Sequence, residues 1–388
     1  MRFDIPAEYA ALQAEVTEFI EREVRPLEAG LDPVGGSLPR DLLRRVRRRS
    51  AELGFYAASY PRSLGGRDLP QLGMVLLREA VEATGARLAF AVTYHAEGPS
   101  PLLLHATPEQ QERYLGPLVR AQAVRSMAIT EPGGGSDTQA LRTTATRVGD
   151  DLWLLNGEKH LIGNAEEADF VIVLAVTDAE RRARGGMTAF IVDKGTAGLE
   201  VVERQHGMAE EPQVYRLRFT DCPVASSQIV GGPGNLGLGH YTAMESLVIG
   251  RLTVAGDCNG AAAFALARGV ERARARSSFG RPIGAHQYVQ GHLVDSLVEL
   301  QASRLLTCQA AWRYDQGQEV MQEASIAKLY ASEMVGRVLD RVIQVHGGEG
   351  WLAGPLERLS RRMRAFRFAE GTSEIQKVII ADTLGLPR

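Results

Sequence analysis

A run of glycines is the first feature of this 388-residue chain that could lie against a ligand. Gly133, Gly134 and Gly135 lie between a strand-like run and Ser136. Consecutive glycines let the backbone come close to a planar or phosphorylated ligand. A tight surface turn is the simpler alternative. The segment matches neither the GxGxxG pattern nor a Walker loop, so it gives no support for nicotinamide or nucleoside-triphosphate binding.

A second candidate segment, residues 276–287, combines arginines with an aromatic residue. Arg276 could hold a pyrophosphate, and Phe279 could stack on an aromatic ring. Taken alone, such residues more commonly form a solvated helix cap. His286, taken alone, is more typical of a structural histidine than of a catalyst.

The last candidate segments lie towards the C-terminus. Residues 344–350 form a glycine-rich interruption between helical segments, which a plain interhelical turn would also explain. Further on, Glu370 is followed at once by a glycine at a break between apolar stretches, so it could present a carboxylate to a cavity. Alternatively, Thr372 or Ser373 caps the last helix and Glu374 lies in its first turn.

The elements that must position these segments change character along the chain. Residues 1–125 show helical periodicity, residues 126–232 show short strands between turn signals, and residues 233–388 return to long amphipathic helices. The pattern predicts an α+β multidomain protein. We expect an N-terminal helical domain, a middle β-barrel or β-sandwich domain, and a C-terminal four-helix bundle.

Composition limits the classes of function. The net charge of −3 gives no sign of nucleic-acid or acidic-membrane binding. The sequence contains no run of about 18 uncharged apolar residues, so we predict no membrane span. The three cysteines form no CxxC pair, so we predict no zinc site or other metal centre. A reducing cytoplasm is the expected location.

Taken in this order and spacing, the segments resemble the acyl-CoA dehydrogenase family of flavoproteins over essentially the whole chain. The resemblance rests on the order helix, β, helix and on the runs Thr130-Glu131-Pro132…Gly135-Ser136-Asp137, Asn156-Gly157-Glu158-Lys159, Arg276…Phe279-Gly280, Gln344…Gly347-Gly348 and Glu370-Gly371-Thr372-Ser373. It implies three domains, FAD between the last two, and a homotetramer or a dimer. It also implies an electron-transferring flavoprotein or another electron acceptor as partner.

The resemblance implies FAD-dependent α,β-desaturation of an acyl thioester. Glu370 would remove the α-proton while the flavin N5 accepts the β-hydride. Some relatives carry this glutamate on the preceding long helix, beside the arginine that is Arg251 here, but this chain has Gly250 at that position. Several related monooxygenases lack the glutamate, so its presence favours desaturation.

The resemblance also implies the residues that contact the ligands. Those assigned to FAD, in one subunit or its partner, are Met127, Ile129, Thr130, Gly135, Ser136, Leu161, Gly163, Arg276, Ser278, Phe279, Gln287, Gln344, Gly347, Gly348, Thr372 and Glu374. Those assigned to the acyl thioester are Ser136, Val248, Arg251, Ala369 and Gly371.

The chain departs from the usual family pattern at several of these positions. Leu161 and Gly163 replace a tryptophan that shields the flavin and a hydroxyl that bonds to its N5. Val248 replaces an aspartate that commonly contacts the pantetheine arm. Ala369 replaces an aromatic residue and should widen the pocket beside the base. Arg361-Arg362 stands where an Arg-Asp pair is common, which adds a positive charge.

These departures predict a desaturase with an atypical substrate, either an acyl-carrier-protein thioester or a bulky or polar acyl-CoA. The basic run at residues 44–49 is either a docking surface for an acidic carrier protein or, as is more common, a solvated helix face. A flavin-dependent monooxygenase or oxidase on the same scaffold is the main alternative, with Gly163 making room for an oxygen adduct. A catalytically inactive acyl-binding subunit is the remaining alternative.

Overall fold

The computed structural model describes residues 4–32, 35–209 and 211–386. Within these residues, helices, a sheet and further helices follow one another in the predicted order. No helix of the described part of the chain has both the length and the apolar content needed to cross a membrane.

The N-terminal region is helical. Its helices are α1 (Ala7–Phe19), α2 (Arg40–Glu52), α3 (Gln71–Ala83), α4 (Pro108–Gln110) and α5 (Gly116–Val119). Helix α3 is buried on nearly all sides, because it packs against α1 and also against the long helices of the C-terminal region. The N-terminal helices therefore reach the part of the molecule that carries Glu370.

The middle region is one sheet of seven strands. They are β1 (Arg125–Ala128), β2 (Thr144–Arg147), β3 (Leu152–Gly163), β4 (Phe170–Val176), β5 (Met187–Asp193), β6 (Leu199–Gln205) and β7 (Val214–Ala225). The hydrogen-bonded order is β1-β4-β2-β3-β7-β6, and β5 also pairs with β4. Register shifts within the β3–β7 and β6–β7 ladders mark bulges, which increase strand twist. The predicted barrel or sandwich is thus a single curled sheet.

The C-terminal region is a helical bundle. Its helices are α6 (Gly239–Ala275), α7 (Gln287–Asp315), α8 (Met321–His346), α9 (Gly348–Trp351), α10 (Pro355–Arg364) and α11 (Ser373–Thr383). A ribbon of two short strands, β8 (Ser277–Ser278) and β9 (Arg281–Pro282), joins α6 to α7. Helices α6, α7 and α8 pack on one another, and α10 and α11 take the remaining side of α8.

Small residues on α6 let it approach α3 closely. A Cβ atom placed on Gly260 would lie 2.4 Å from the carbonyl oxygen of Glu79 and 2.6 Å from the Cβ of Glu82, which is too short for a side chain. One on Gly256 would lie 3.0 Å from the carbonyl oxygen of Val75, which is a tight contact. The glycine- and alanine-rich middle of α6 therefore serves its contact with the N-terminal helices, and this contact fixes how the two helical regions enclose the site.

Candidate active site

Glu370 lies on a strained turn between α10 and α11. Its backbone φ is +56° and that of Gly371 is +92°, so both adopt left-handed conformations. The turn is held by Gln376, whose Nε2 donates to the carbonyl oxygens of Glu370 and Gly371 at 3.0 Å each. Lys328 of α8 donates from Nζ to the Gly371 carbonyl at 2.7 Å. A left-handed non-glycine residue costs conformational energy, and such outliers concentrate at functional sites.

The carboxylate of Glu370 rests on α6 at Gly250. A Cβ atom placed on Gly250 would lie 2.7 Å from Cδ of Glu370 and would overlap its carboxylate oxygen. Gly250 is the position where some relatives carry the base. Positions 250 and 370 therefore lie at the same place in the fold. This chain needs a glycine at position 250 because the carboxylate of Glu370 occupies the space beside it.

Glu370 is half-buried, and its surroundings are cationic. Burial raises the pKa of its carboxyl group, and the positive charges of Arg251, Arg125 and Lys328 oppose that rise. Burial is the larger effect, so the pKa remains above the usual range for a glutamate. A carboxylate with a raised pKa is a stronger base than one in water, which suits proton abstraction from carbon.

Arg251 is buried next to this carboxylate. Only 4% of its surface is exposed, its Nη1 donates to the sulfur of Met321 at 2.8 Å, and its Nε has no hydrogen-bond partner among the residues described. Burial lowers the pKa of this arginine, and Glu370 opposes the effect. Arg251 thus offers a donor to a bound molecule at the position assigned to the thioester.

The glycine-rich loop after β1 is held from behind by a buried ion pair. The carboxylate of Glu131 accepts from Lys159 Nζ at 2.9 Å and from the backbone N–H groups of Arg142 and Thr143 at 2.6 and 2.9 Å. Lys159 also donates to the carbonyl of Ile129 at 2.9 Å. Burial lowers the pKa of Lys159 to about 8, and Glu131 opposes this shift. The motif residues Glu131 and Lys159 therefore shape the loop.

The loop itself keeps an open face. Glu131 and Gly134 exchange backbone hydrogen bonds at 3.0 and 3.1 Å, so the tight turn considered from the sequence is present. A Cβ atom placed on Gly133 would meet no other atom within 4 Å, and one on Gly135 would only touch Thr130 at 3.5 Å. The turn and the room for a ligand are thus compatible.

The end of β3 lies beside β1. The carbonyl of Gly163 accepts from the hydroxyl of Ser126 at 2.7 Å, and a Cβ atom on Gly163 would meet only Ala96, at 3.8 Å. Leu161 has a φ of +57° and is 51% exposed, and its N–H donates to Gln205 at 3.0 Å. Replacing the usual hydroxyl residue by Gly163 therefore leaves space next to the strand that begins the flavin-assigned loop.

Comparison with known proteins decides the family. Models of the N-terminal, middle and C-terminal domains of acyl-CoA dehydrogenases match residues 6–122, 126–222 and 237–385. The chain belongs to the acyl-CoA dehydrogenase family. It is therefore an oxidoreductase of that family, and the helical, curled-sheet and helical regions are the architecture of its members.

Two curated relatives and two solved structures illustrate the range of the family. The 3-(aryl)acrylate reductase of Clostridium sporogenes is 34% identical over 95% of this chain and 96% of its own length. The caffeyl-CoA reductase-Etf complex subunit CarC of Acetobacterium woodii is 32% identical over 95% of both chains. The butyryl-CoA dehydrogenase of Megasphaera elsdenii has a TM-score of 0.89, with 29% identity over 99% of this chain and 100% of its own. The prolyl acyl carrier protein oxidase AnaB has a TM-score of 0.85, with 29% identity over the same shares.

Within this acyl-CoA dehydrogenase fold, the residues assigned to FAD fall into separate places. Met127, Ile129 and Thr130 are half-buried along β1 and the loop after it. By contrast, Phe279 at the tip of the β8–β9 ribbon is 93% exposed and contacts the ring of His286, with the ring centres 6.0 Å apart. The other residues on this exposed side are Arg276, Ser278, Gln287, Gln344, Gly347 and Gly348.

The residues next to Glu370 also have structural tasks. Thr372 is the N-cap of α11 and accepts from the N–H of Ile375 at 3.2 Å, and Glu374 lies in the first turn of that helix, as the alternative interpretation predicts. Val248 is buried in the core of the bundle, whereas Ala369 is only half-buried. A capping role leaves room for a ligand contact at the same helix end.

The extra positive charge expected from Arg361-Arg362 is neutralised inside the molecule. Arg362 forms a two-pronged ion pair with Glu82 of α3, at 2.6 and 3.0 Å, and Arg361 pairs with Glu357. Arg362 does carry the added positive charge, and Glu82, which is distant in sequence, compensates it. Glu82, His95 and Asp257 also lie close enough to hold a metal ion, but Arg362 and Arg78 already engage the two carboxylates.

The sequence interpretation missed several residues around the base. Lys328 and Gln376 are completely buried and fix the Glu370 turn, while Arg125 is buried near it. Two of these residues have an unusual feature in the sequence that could have drawn attention to them. Lys328 is one of only four lysines, and Arg125 is a charged residue at the start of a strand.

Proposed function

We propose that this chain catalyses the α,β-dehydrogenation of an acyl thioester, with Glu370 as the base that removes the α-proton. The observation that carries the proposal is the placement of one half-buried carboxylate, with a raised pKa, against Gly250 and close to Arg251. Proton abstraction next to a thioester needs a base in a water-poor site. The chain provides this base on a turn held by side chains of α8 and α11.

The cations around Glu370 serve the same step. When the carboxylate takes up the α-proton it becomes neutral, and negative charge develops on the thioester oxygen. The negative charge near Arg251, Arg125 and Lys328 then lies on the substrate instead of on the Glu370 carboxylate. Fixed positive charges in a dry site stabilise such a developing charge without reorganising.

FAD is the cofactor that this family uses, and the residues present fit it. The open face of the loop at Gly133 admits a flat ring, and the exposed Phe279 fits a cofactor held largely by a second subunit. When bound, FAD supplies the acceptor for the β-hydride. The chain's own contribution is the loop fixed by Glu131 and Lys159, the end of β3, and the caps of α11.

The direction of the reaction depends on the electron partner. The proposed base serves both directions, because a carboxylate that removes an α-proton also returns it in the reverse reaction. Two relatives are named as reductases, and one of these is a subunit of an Etf complex. We therefore include an electron-transferring flavoprotein among the partners, and a homotetramer or a dimer as the assembly.

The basic run of α2 gives little support to a carrier-protein partner. Arg47 is buried and lies 3.5 Å from Glu97 and 3.4 Å from Glu167, and Arg49 pairs with Glu23 at 2.8 Å. Of the run, only Arg45 and Arg48 are exposed without an ion pair to any residue that the structure describes. An acyl-CoA substrate is therefore favoured over an acyl-carrier-protein thioester.

An oxidase is a second candidate because of the space at Gly163. Such space beside the flavin-assigned strand could admit oxygen, and one solved structure of similar fold is an acyl-carrier-protein oxidase. Stopped-flow absorbance separates the two functions. Bleaching of the flavin by an acyl-CoA without oxygen, followed by slow reoxidation in air, supports a dehydrogenase. Rapid reoxidation in air supports an oxidase, and no bleaching by any thioester contradicts both.

A further inference from the structure

Arg125 and Tyr60 form a buried polar cluster that the proposed reaction does not use. Arg125 is 6% exposed and Tyr60 is 3% exposed. The Nε of Arg125 donates to the carbonyl of Gly98 at 2.6 Å, which fixes the guanidinium group. Its Nη1 and the hydroxyl of Tyr60 are both buried and have no hydrogen-bond partner among the residues described. Two buried donors of this kind are costly unless something accepts from them.

The neighbouring groups do not satisfy these donors. Tyr94 packs edge-on against Tyr60, with the ring centres 5.6 Å apart, and its side chain interacts with the Tyr60 hydroxyl without a well-formed hydrogen bond. The backbone N–H of Arg125 donates to the carbonyl of Glu97 at 3.0 Å. The Glu97 carboxylate acts on Arg125 through its charge but forms its ion pair with Arg47, at 3.5 Å. Arg125 therefore has no ion pair with any carboxylate in residues 4–32, 35–209 and 211–386.

This cluster borders the base. Arg125 lies on β1 two residues before Met127, and alternate residues of a strand share a face, so both side chains point to the same side. The positive charge of Arg125 acts on Glu370 from this side. Together with Arg251 and Lys328, it surrounds the Glu370 carboxylate with positive charge. The nearby ion pairs Arg78–Asp257 and Arg362–Glu82 each balance one positive with one negative charge.

We propose that Arg125 and Tyr60 form a subsite for a carboxylate at the far end of the acyl chain, so that the substrate is the monothioester of a dicarboxylic acid. This rests on the proposed function, because Glu370 fixes where the α-carbon lies. A carboxylate supplies the missing negative charge and accepts from both donors. Arginine with a hydroxyl group is a typical pair for this purpose.

Measuring the affinity for thioesters, without turnover, tests the carboxylate subsite separately from the proposed dehydrogenation. We would titrate FAD-loaded Glu370→Gln protein, which we expect not to turn over, with matched CoA thioesters by calorimetry. The pairs have equal carbon number: butyryl and succinyl, valeryl and glutaryl, hexanoyl and adipyl. At least one acidic member should bind about tenfold or more tightly than its neutral partner, the factor expected for one charge-assisted hydrogen bond.

The matched variants locate the preference. Arg125→Met should abolish it, Tyr60→Phe should reduce it about threefold or more, and Arg45→Met on the exposed face of α2 should keep it. If Arg125→Met does not fold, Tyr60→Phe, which removes one oxygen atom, decides alone. Equal binding of every pair, or a preference unchanged in Tyr60→Phe and Arg125→Met, overturns the subsite. A preference that depends on Arg125 supports it even if no thioester reduces the flavin, a result that would contradict only the proposed function.

Discussion

At the scale of single residues, the position of the base depends on the absence of a side chain at Gly250 of α6. Glu370 reaches its place because Gly250 has no side chain, and the turn that carries it is left-handed at two consecutive residues. Hydrogen bonds from Gln376 and Lys328 hold the turn in this conformation. The backbone that carries the carboxylate is therefore fixed, which helps to aim a base at one carbon atom.

Adding a single methyl group at Gly250 should displace the base. In Gly250→Ala, the new Cβ overlaps the Glu370 carboxylate. Because a misplacement of about 1 Å can cost about a hundredfold in rate, we expect a loss of that order in kcat with FAD still bound. Gly336→Ala is the matched control, since its Cβ meets nothing within 4 Å on α8. Equal activity of the two variants would contradict the geometry.

The acid side of the pH profile should move when a neighbouring charge is removed. Glu370 must be ionised to act, so turnover rises with pH through its raised pKa. Lys328→Gln keeps a donor for the Gly371 carbonyl but removes a charge that lowers this pKa, so the acid limb should shift to higher pH. Burial lowers the pKa of Lys328 itself to about 8, so the two proteins should converge above that pH. The rate of flavin bleaching against pH measures this, and an unshifted limb argues against Glu370 as the titrating group.

At the scale of elements, ion pairs join helices that are far apart in sequence. Arg362 of α10 pairs with Glu82 of α3, and Arg78 of α3 pairs with Asp257 of α6 at 2.9 Å. These contacts bring the N-terminal helices against the bundle next to the Glu370 turn. They also explain why an arginine is tolerated where an aspartate is common in the family.

Restoring that common aspartate should destabilise this chain. Arg362→Asp leaves Glu82 unpaired and adds a negative charge close to Asp257. Breaking a buried pair from one side costs about 3–5 kcal/mol, so the free energy of unfolding should fall by about this amount. Arg364→Asp, on an exposed position of α10, is the control and should change little. Urea unfolding compares them, and equal stability of the two variants would show that the Glu82 pair contributes nothing.

Features of the fold and the site could be predicted from the sequence where the residues involved are close together along the chain. The Glu370 turn is local, because Gly371, Thr372 and Glu374 follow it directly, so the motif sufficed to locate it. Pairs such as Glu82–Arg362 are separated by 280 residues, and no local pattern contains them. The curl of the sheet depends on bulges between β3 and β7, which alternation of residue types does not predict. Arg125 was missed for the same reason, since its surroundings come from residues 60, 97 and 98.

At the scale of the whole molecule, one face of α7 remains apolar and exposed. The sequence predicts long amphipathic helices in this region, and Leu300 of α7 is buried, but Leu297 is 47% exposed. Its neighbours Val298 and Leu305 are 62% and 55% exposed. A contiguous apolar face of this kind marks a protein interface. Together with the exposed Phe279, it fits the assembly of several subunits that we propose.

A charge on this face should break the assembly. Burying an unpaired glutamate is costly, so Val298→Glu should lower the mass measured by light scattering and weaken FAD retention. Val148→Glu is the control, because Val148 is 52% exposed in the turn between β2 and β3. If Val298→Glu keeps both the mass and the FAD of the control, the α7 face is not an interface.

The central claim is that one carboxylate, Glu370, removes the α-proton. Its most direct test is the rate at which an acyl-CoA bleaches the bound flavin without oxygen, compared between the parent protein, Glu370→Gln and the exposed control Glu319→Gln. We predict that Glu370→Gln keeps FAD but bleaches slower by about a factor of 10³ or more, near the effect of losing a general base, while Glu319→Gln matches the parent. Bleaching by Glu370→Gln at the parent rate would contradict the claim.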